Sequence, residues 1–205
     1  MPDLRSILAI PAAYRLFGRV VGGSGSRVSF VRDHVKPRPG DRILDVGCGP
    51  GSLLPYLPEC EYVGVDLDPA YIAAAKAAFP DRGTFRCEPA ETVADLEPGS
   101  FDRVIASGLL HHLTDDEALG TLRVARRALR PGGRFVSLDG CFVPGQHWFA
   151  RWMLRRDRGK FVREQPAYLK LAEQVFPTVV PALRHDLLRV PYTLLVLDCT
   201  AGDGN

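Results

Sequence analysis

Arg42-Ile43-Leu44-Asp45-Val46-Gly47-Cys48-Gly49-Pro50-Gly51 is the most informative stretch of this 205-residue chain. Ile43, Leu44 and Val46 make a short apolar run of the kind expected of a central parallel strand, buried on both faces. The run stops at an acid followed by three glycines spaced Gly-x-Gly-x-Gly, and residues 52–57 then read as helical. Glycine permits a sharp turn and lets a ligand lie against the main chain with no Cβ between them. A helix start beyond the turn offers free N–H groups and a positive dipole end. A dinucleotide-binding turn would instead carry Gly-x-Gly-x-x-Gly opening onto a pyrophosphate. Here the third glycine comes one residue early, Pro50 intervenes, and the Asp45 carboxylate would repel a pyrophosphate and attract an ammonium group. The ligand implied is nucleoside-like, with a cationic tail.

Outward from this stretch, residues 61–66 read as a second strand ending in Asp66, nineteen residues after Gly47. In nucleotide-binding α/β sheets an acid at this place and distance hydrogen-bonds the ribose hydroxyls. Asp68, directly before Pro69, suits the N-cap of a helix over 69–79. Further strands are expected at 84–87, 100–107 and 133–139. Thr114 and Glu117 form a capping box opening a helix over 115–129, which Arg130-Pro131-Gly132-Gly133 stops. A helix over 165–176 precedes two last strands, 178–187 and 192–200. Arg189-Val190-Pro191 between them is too short for a crossover, so they should pair antiparallel. Ahead of the sheet, residues 11–21 carry Tyr14 and other apolar residues at helical spacing, and Ser24 can cap a second helix to about Val35.

The length suits one domain with a full core. A net charge of +2 makes no electrostatic case for nucleic acid or a membrane surface, and no apolar run approaches a membrane-spanning length. The start of the chain lacks a signal-peptide layout. The five cysteines are scattered without metal-ligand spacing, so no metal is expected and a reducing, cytoplasmic setting is.

Asp45 to Gly51, the run from Phe101-Asp102 to Leu110-His111-His112-Leu113, and Leu129-Arg130-Pro131-Gly132-Gly133 together resemble the motifs of class I S-adenosylmethionine (SAM) dependent methyltransferases of small-molecule type. The resemblance runs from about Asp41 to Thr200. It implies an α/β fold: a Rossmann-like, seven-stranded, mostly parallel sheet with a C-terminal antiparallel hairpin and helices on both faces. The single domain would comprise lid helices (1–40), a cofactor-binding core (41–139), a substrate-cap insertion (140–164), and a C-terminal helix and β-hairpin (165–200). The cofactor would be SAM, leaving as S-adenosylhomocysteine (SAH). Asp45 would lie near the methionyl amino group, with Gly47, Cys48, Gly49 and Gly51 lining the cofactor. Asp66 would hold the ribose, Leu67 and Ser107 would also bind the cofactor, and Tyr14 would touch the cofactor carboxylate. The adenine would meet a backbone N–H near Ala90. Many relatives carry an Asp where Pro89 stands, so Glu88 or Glu91 would have to accept from the adenine amino group. The Asn/Asp-Pro-Pro-Tyr/Phe tetrapeptide of nucleobase and glutamine amino-group methylases does not occur.

A sulfonium cofactor arrives activated, so the protein must position the acceptor, exclude water and remove a proton where the acceptor needs it. His111, His112 and Asp139 are the candidates, all expected at strand ends around one crevice. His112 is preferred, with Asp139 orienting or replacing it; His147 and His185 rank lower. The insertion holds His147, Trp148, Phe149 and Trp152 among Arg151, Arg155, Arg156 and Arg163. It reads either as an amphipathic helix with a solvated basic face, or as a cap. In the second reading His147, Trp148 and Trp152 wall the substrate and Arg151 meets an anionic group. The acceptor expected is an oxygen of a small molecule, on a monomer or homodimer. The alternatives are SAM binding without methyl transfer, and transfer to carbon or nitrogen.

Overall fold

The computed structural model describes residues 23–156 and 159–202. Its strands are β1 (Arg42–Val46), β2 (Glu61–Val65), β3 (Thr84–Arg86), β4 (Phe101–Ser107), β5 (Leu129–Phe142), β6 (Arg163–Glu164), β7 (Thr178–Arg184) and β8 (Leu194–Thr200). The helices are α1 (Gly23–Phe30), α2 (Pro69–Ala78), α3 (Ala90–Leu96), α4 (Asp115–Ala128), α5 (Trp148–Arg156) and α6 (Gln165–Ala172). Sheet order is β3-β2-β1-β4-β5-β8-β7, with β6 beside β5. Strands β1 to β5 pair in parallel, whereas β8 runs antiparallel between β5 and β7. The chain therefore has the expected α/β architecture. Its strand order reverses between β1 and β4, where ligands of open α/β sheets bind.

Alternation along the strands splits the core in two. Ile43, Ile105, Val136 and Val196 pack with Ile72 and Ala75 of α2 and with Phe30, Val31 and Val35. Leu44, Val104, Ala106 and Phe135 pack on the other face with Val93 of α3, Leu122 and Ala125 of α4, and Tyr168 of α6. Successive strand residues serve opposite faces, so an uninterrupted apolar strand is what a two-sided sheet requires. The caps form as the sequence implies. Asp68 accepts from Ala70 N at 2.8 Å, and Thr114 with Glu117 closes the capping box. Among the described residues no helix is long and apolar enough to cross a membrane.

Several boundaries differ from expectation. The sheet has eight strands, because the insertion returns through β6, pairing Cys141 with Arg163 and Phe142 with Glu164. β5 runs from Leu129 through Gly140 into the insertion, well beyond 133–139. β7 and β8 do pair antiparallel, but β7 ends at Arg184 and β8 starts at Leu194, which frees residues 185–193 as a long connection. Residues 52–57 are no α-helix. Pro55 and Pro58 remove donors and Leu57 is extended, leaving a single 3₁₀ turn at Leu54–Tyr56 and no helix dipole behind the glycines. The helix expected over 165–176 stops at Ala172. Residues 31–35 continue α1 as a π-helical turn that ends at Lys36 with φ 48°. Tyr14 and the first lid helix lie outside the described residues.

Candidate active site

The glycine loop is stitched to the end of β2. Gly47 and Cys48 both donate to Val65 O, at 2.9 and 3.0 Å. All three loop glycines have positive φ, where an L side chain is strained. At Gly51 a Cβ would also sit 3.0 Å from the Phe79 ring, whereas at Gly49 it would meet open space. The loop thus exposes bare backbone beside the switch point.

Asp66 follows β2 directly and bridges the two strand ends. Oδ2 accepts from Gly49 N at 2.9 Å and Oδ1 from Asp68 N at 2.9 Å. Two backbone donors fix the carboxylate, and each oxygen keeps lone-pair capacity for a further donor. Next to it Leu67 is 72% exposed, an apolar surface at the mouth of the cleft. Pro89 precedes α3 without capping it, so Ala90 and Glu91 open that helix with no side chain on their N–H groups.

Asp45 is buried. Oδ2 accepts from the Tyr62 hydroxyl at 2.7 Å, while Oδ1 is enclosed with no hydrogen-bond partner among the described residues. Burial raises its carboxyl to about 7, partly opposed by the Tyr62 bond. The same burial, with the Asp45 charge adjacent, pushes the Tyr62 hydroxyl well above its ordinary value.

The second constellation joins the ends of β4 and β5. His111 Nδ1 lies 2.8 Å from Asp139 Oδ1, and the His111 backbone N–H donates to the same oxygen at 3.2 Å. His111 is 7% exposed and Asp139 only 2%. The expected pairing of Asp139 with His112 is therefore corrected: the 3₁₀ turn Leu110–His112 directs His111 inward and leaves His112 exposed. An ionised Asp139 only accepts, so Nδ1 carries the proton and Nε2 is the basic nitrogen.

The insertion closes over this pair from 48 residues along the chain (Gly159 minus His111). Phe161 N donates to His111 O at 3.0 Å. Arg163 NH1 donates to Leu110 O at 2.9 Å, NH2 to Leu113 O at 2.6 Å, and Nε to Asp115 at 2.8 Å. Arg163 is thus consumed in positioning the His-His turn and is not a ligand for a substrate anion. Trp148, Arg151 and Trp152 lie on α5. They share one side of α5, while Ala150 and Leu154 fill the other, and Trp148 is 73% exposed. Arg151 stacks on Phe142 and Arg156 on Trp152. His147 lines a cleft on the far side of β5 from the glycine loop. Gly159 and Arg163 carried no local signal, since their role exists only through contacts with residues some fifty positions earlier.

Comparison with known proteins agrees with this arrangement. A family model described as "Methyltransferase domain" matches residues 44–137. Over residues 44–137 this chain is similar to the class I SAM-dependent methyltransferases. The match starts in β1 and runs through the glycine loop, Asp66 and the His111 turn into β5. Ubiquinone biosynthesis O-methyltransferase of Idiomarina loihiensis is 34% identical over 113 residues, covering 53% of this chain and 46% of the relative. The chain spans under half the length of the curated relatives it matches. Among solved structures, Haemonchus contortus phosphoethanolamine N-methyltransferase 2 superposes with a TM-score of 0.73 at 15% identity, over 98% of this chain and 59% of that one. Geranyl diphosphate C-methyltransferase from Streptomyces coelicolor gives 0.66 at 16%, over 86% and 75%.

The residues present fit the family's cofactor. Open space over Gly49, the anchored carboxylate of Asp66 and the exposed Leu67 suit a nucleoside. The unpartnered Oδ1 of Asp45 suits an ammonium donor once ionised.

Proposed function

We propose that this chain is a SAM-dependent methyltransferase acting on a hydroxyl or carboxyl oxygen of a small molecule, with His111, held by Asp139, as the base. The observation that carries the oxygen acceptor and the base is the buried Nδ1–Oδ1 contact of 2.8 Å. SAM supplies an electrophilic methyl group on a sulfonium. The protein's own part is placement and proton transfer. Asp139 fixes the imidazole tautomer and stabilises the imidazolium; His111 Nε2 takes the acceptor proton as the oxygen forms its new bond. The turn at residues 159–161 keeps bulk water off the His111 side of the site. The curated relative named an O-methyltransferase supports oxygen as the acceptor atom. Buried, free Cys48, Cys141 and Cys199 support a reducing, cytoplasmic setting.

The test is transfer from methyl-labelled SAM to a panel of hydroxylated and carboxylated small molecules. Label on an oxygen is expected, with the signal lost in His111→Ala. Label on carbon or nitrogen, or label that never leaves SAM, would overturn the oxygen reading.

A further inference from the structure

The loop between β5 and α5 and the connection 185–193 between β7 and β8 enclose an open cleft of about 710 Å³. That volume falls in the range of small-molecule sites. The cleft begins at Val143, four residues past Asp139 along the chain. Its lining holds two histidines, His147 and His185, and one arginine, Arg189, and not a single carboxylate. Val143, Leu188 and Val190 give it apolar walls. His147, His185 and Arg189 are exposed, while Tyr192 and Thr193 are buried at its base.

Hydrogen bonds already present decide what the polar groups still offer. His147 Nδ1 accepts the Phe149 N–H at 3.2 Å, so in the neutral ring the proton sits on Nε2, a donor. His185 Nδ1 is held by the Thr193 hydroxyl at 3.3 Å. Gln146 Nε2 donates to Cys141 O at 3.1 Å, and its Oε1 is buried with no hydrogen-bond partner among the described residues. A buried acceptor left unpaired is costly and favours a ligand that brings a donor.

We infer that this cleft binds a small apolar acid bearing a hydroxyl group, its hydrocarbon body on Val143, Leu188 and Val190, its anionic group at Arg189 and His147, and its hydroxyl donating to Gln146 Oε1. A carboxylate and a phosphate present the same chemistry to an arginine flanked by imidazoles. As a binding site, the cleft does not rest on the methyltransferase reading.

Calorimetric titration of the full chain with 6-hydroxy-2-naphthoate, 2-naphthoate, 2-naphthyl phosphate and 2-naphthol tests this. At least one anion should bind about tenfold or more tighter than 2-naphthol, and Arg189→Ala should remove that advantage while SAH affinity stays unchanged. Gln146→Leu should weaken 6-hydroxy-2-naphthoate but not 2-naphthoate. Preference for the naphthoates or the phosphate identifies the anionic group. Equal binding of 2-naphthol, indifference to Arg189→Ala, or no binding by any of the four overturns the inference. Anion binding without SAH binding would instead sink the methyltransferase reading and leave the cleft assignment standing.

Discussion

Gly159 packs so closely on His111 that a Cβ there would lie 2.0 Å from the ring Cδ2 and 2.8 Å from the His111 carbonyl oxygen. Its φ is not positive, so the glycine is demanded by proximity and not by backbone conformation. Gly159→Ala should therefore lift the returning strand off the His-His turn. Displacement of a positioned group by about 1 Å can cost roughly 100-fold in rate. The expected result is a fall in kcat of about that size with SAH affinity kept, and faster hydrogen exchange at the Phe161 N–H, which now donates to His111 O. Unchanged exchange at Phe161 would contradict the packing argument.

His111 and His112 are adjacent in sequence and opposite in consequence. Removing a general base typically costs about 10²- to 10⁴-fold, so His111→Ala should lose that much turnover. Asp139→Asn should lose a comparable amount, because an amide does not hold the same tautomer. The double variant should be scarcely worse than either single one. His112→Ala, at an exposed position, should retain turnover within a few-fold. Steady-state kinetics on the four variants decides it; a larger loss from His112→Ala would return the role to that residue.

Asp66 has two structural duties and, in the proposed function, one for the ligand. Both carboxylate oxygens hold backbone N–H groups, from Gly49 and Asp68. Asp66→Ala should abolish SAH binding in calorimetry and speed hydrogen exchange at the Gly49 N–H. Asp66→Asn keeps one acceptor and should bind measurably but weakly. Wild-type SAH affinity in Asp66→Ala would refute the ribose assignment.

Asp45 should make stability depend on pH in a defined direction. Its folded-state carboxyl is raised by burial from 3.8 to about 7. Between those values the folded chain holds a proton that the unfolded chain has released. The stabilisation is complete below the unfolded pKa and is lost as pH rises through the folded one. The difference in unfolding free energy between wild type and Asp45→Asn should therefore fall from pH 4 to pH 7 and level off above it, as read by urea titration. SAH affinity should rise between pH 6 and 8 in wild type, because an ionised Oδ1 is needed to accept from an ammonium, and stay flat in Asp45→Asn. A pH-independent stability difference would show that Asp45 ionises normally.

Much of the fold was legible because its signals are local. The glycines after β1, the Asp68-Pro69 start of α2 and the Thr114–Glu117 box each act within a few residues, and they form as read. The helix expected after the glycines failed for a reason also local: two prolines in five residues outweigh the apolar run of Leu53, Leu54 and Leu57. The tight β7–β8 turn failed for a different reason. Residues 185–193 contain leucine, valine and tyrosine that look strand-like, but the pairing of β7 with β8 ends at Arg184 and Leu194.

By itself, then, the sequence determined the strand that ends in a glycine loop, the acid closing the next strand, and hence the switch-point cleft, because turn and cap chemistry is written in neighbouring residues. Which histidine meets Asp139, which arginine is spent on backbone carbonyls, and which face of α5 meets solvent were decided only by the tertiary structure. The first two outcomes depend on contacts between residues 28 and 53 positions apart. A one-residue change of facing, invisible in composition or spacing, is enough to exchange a buried histidine for an exposed one.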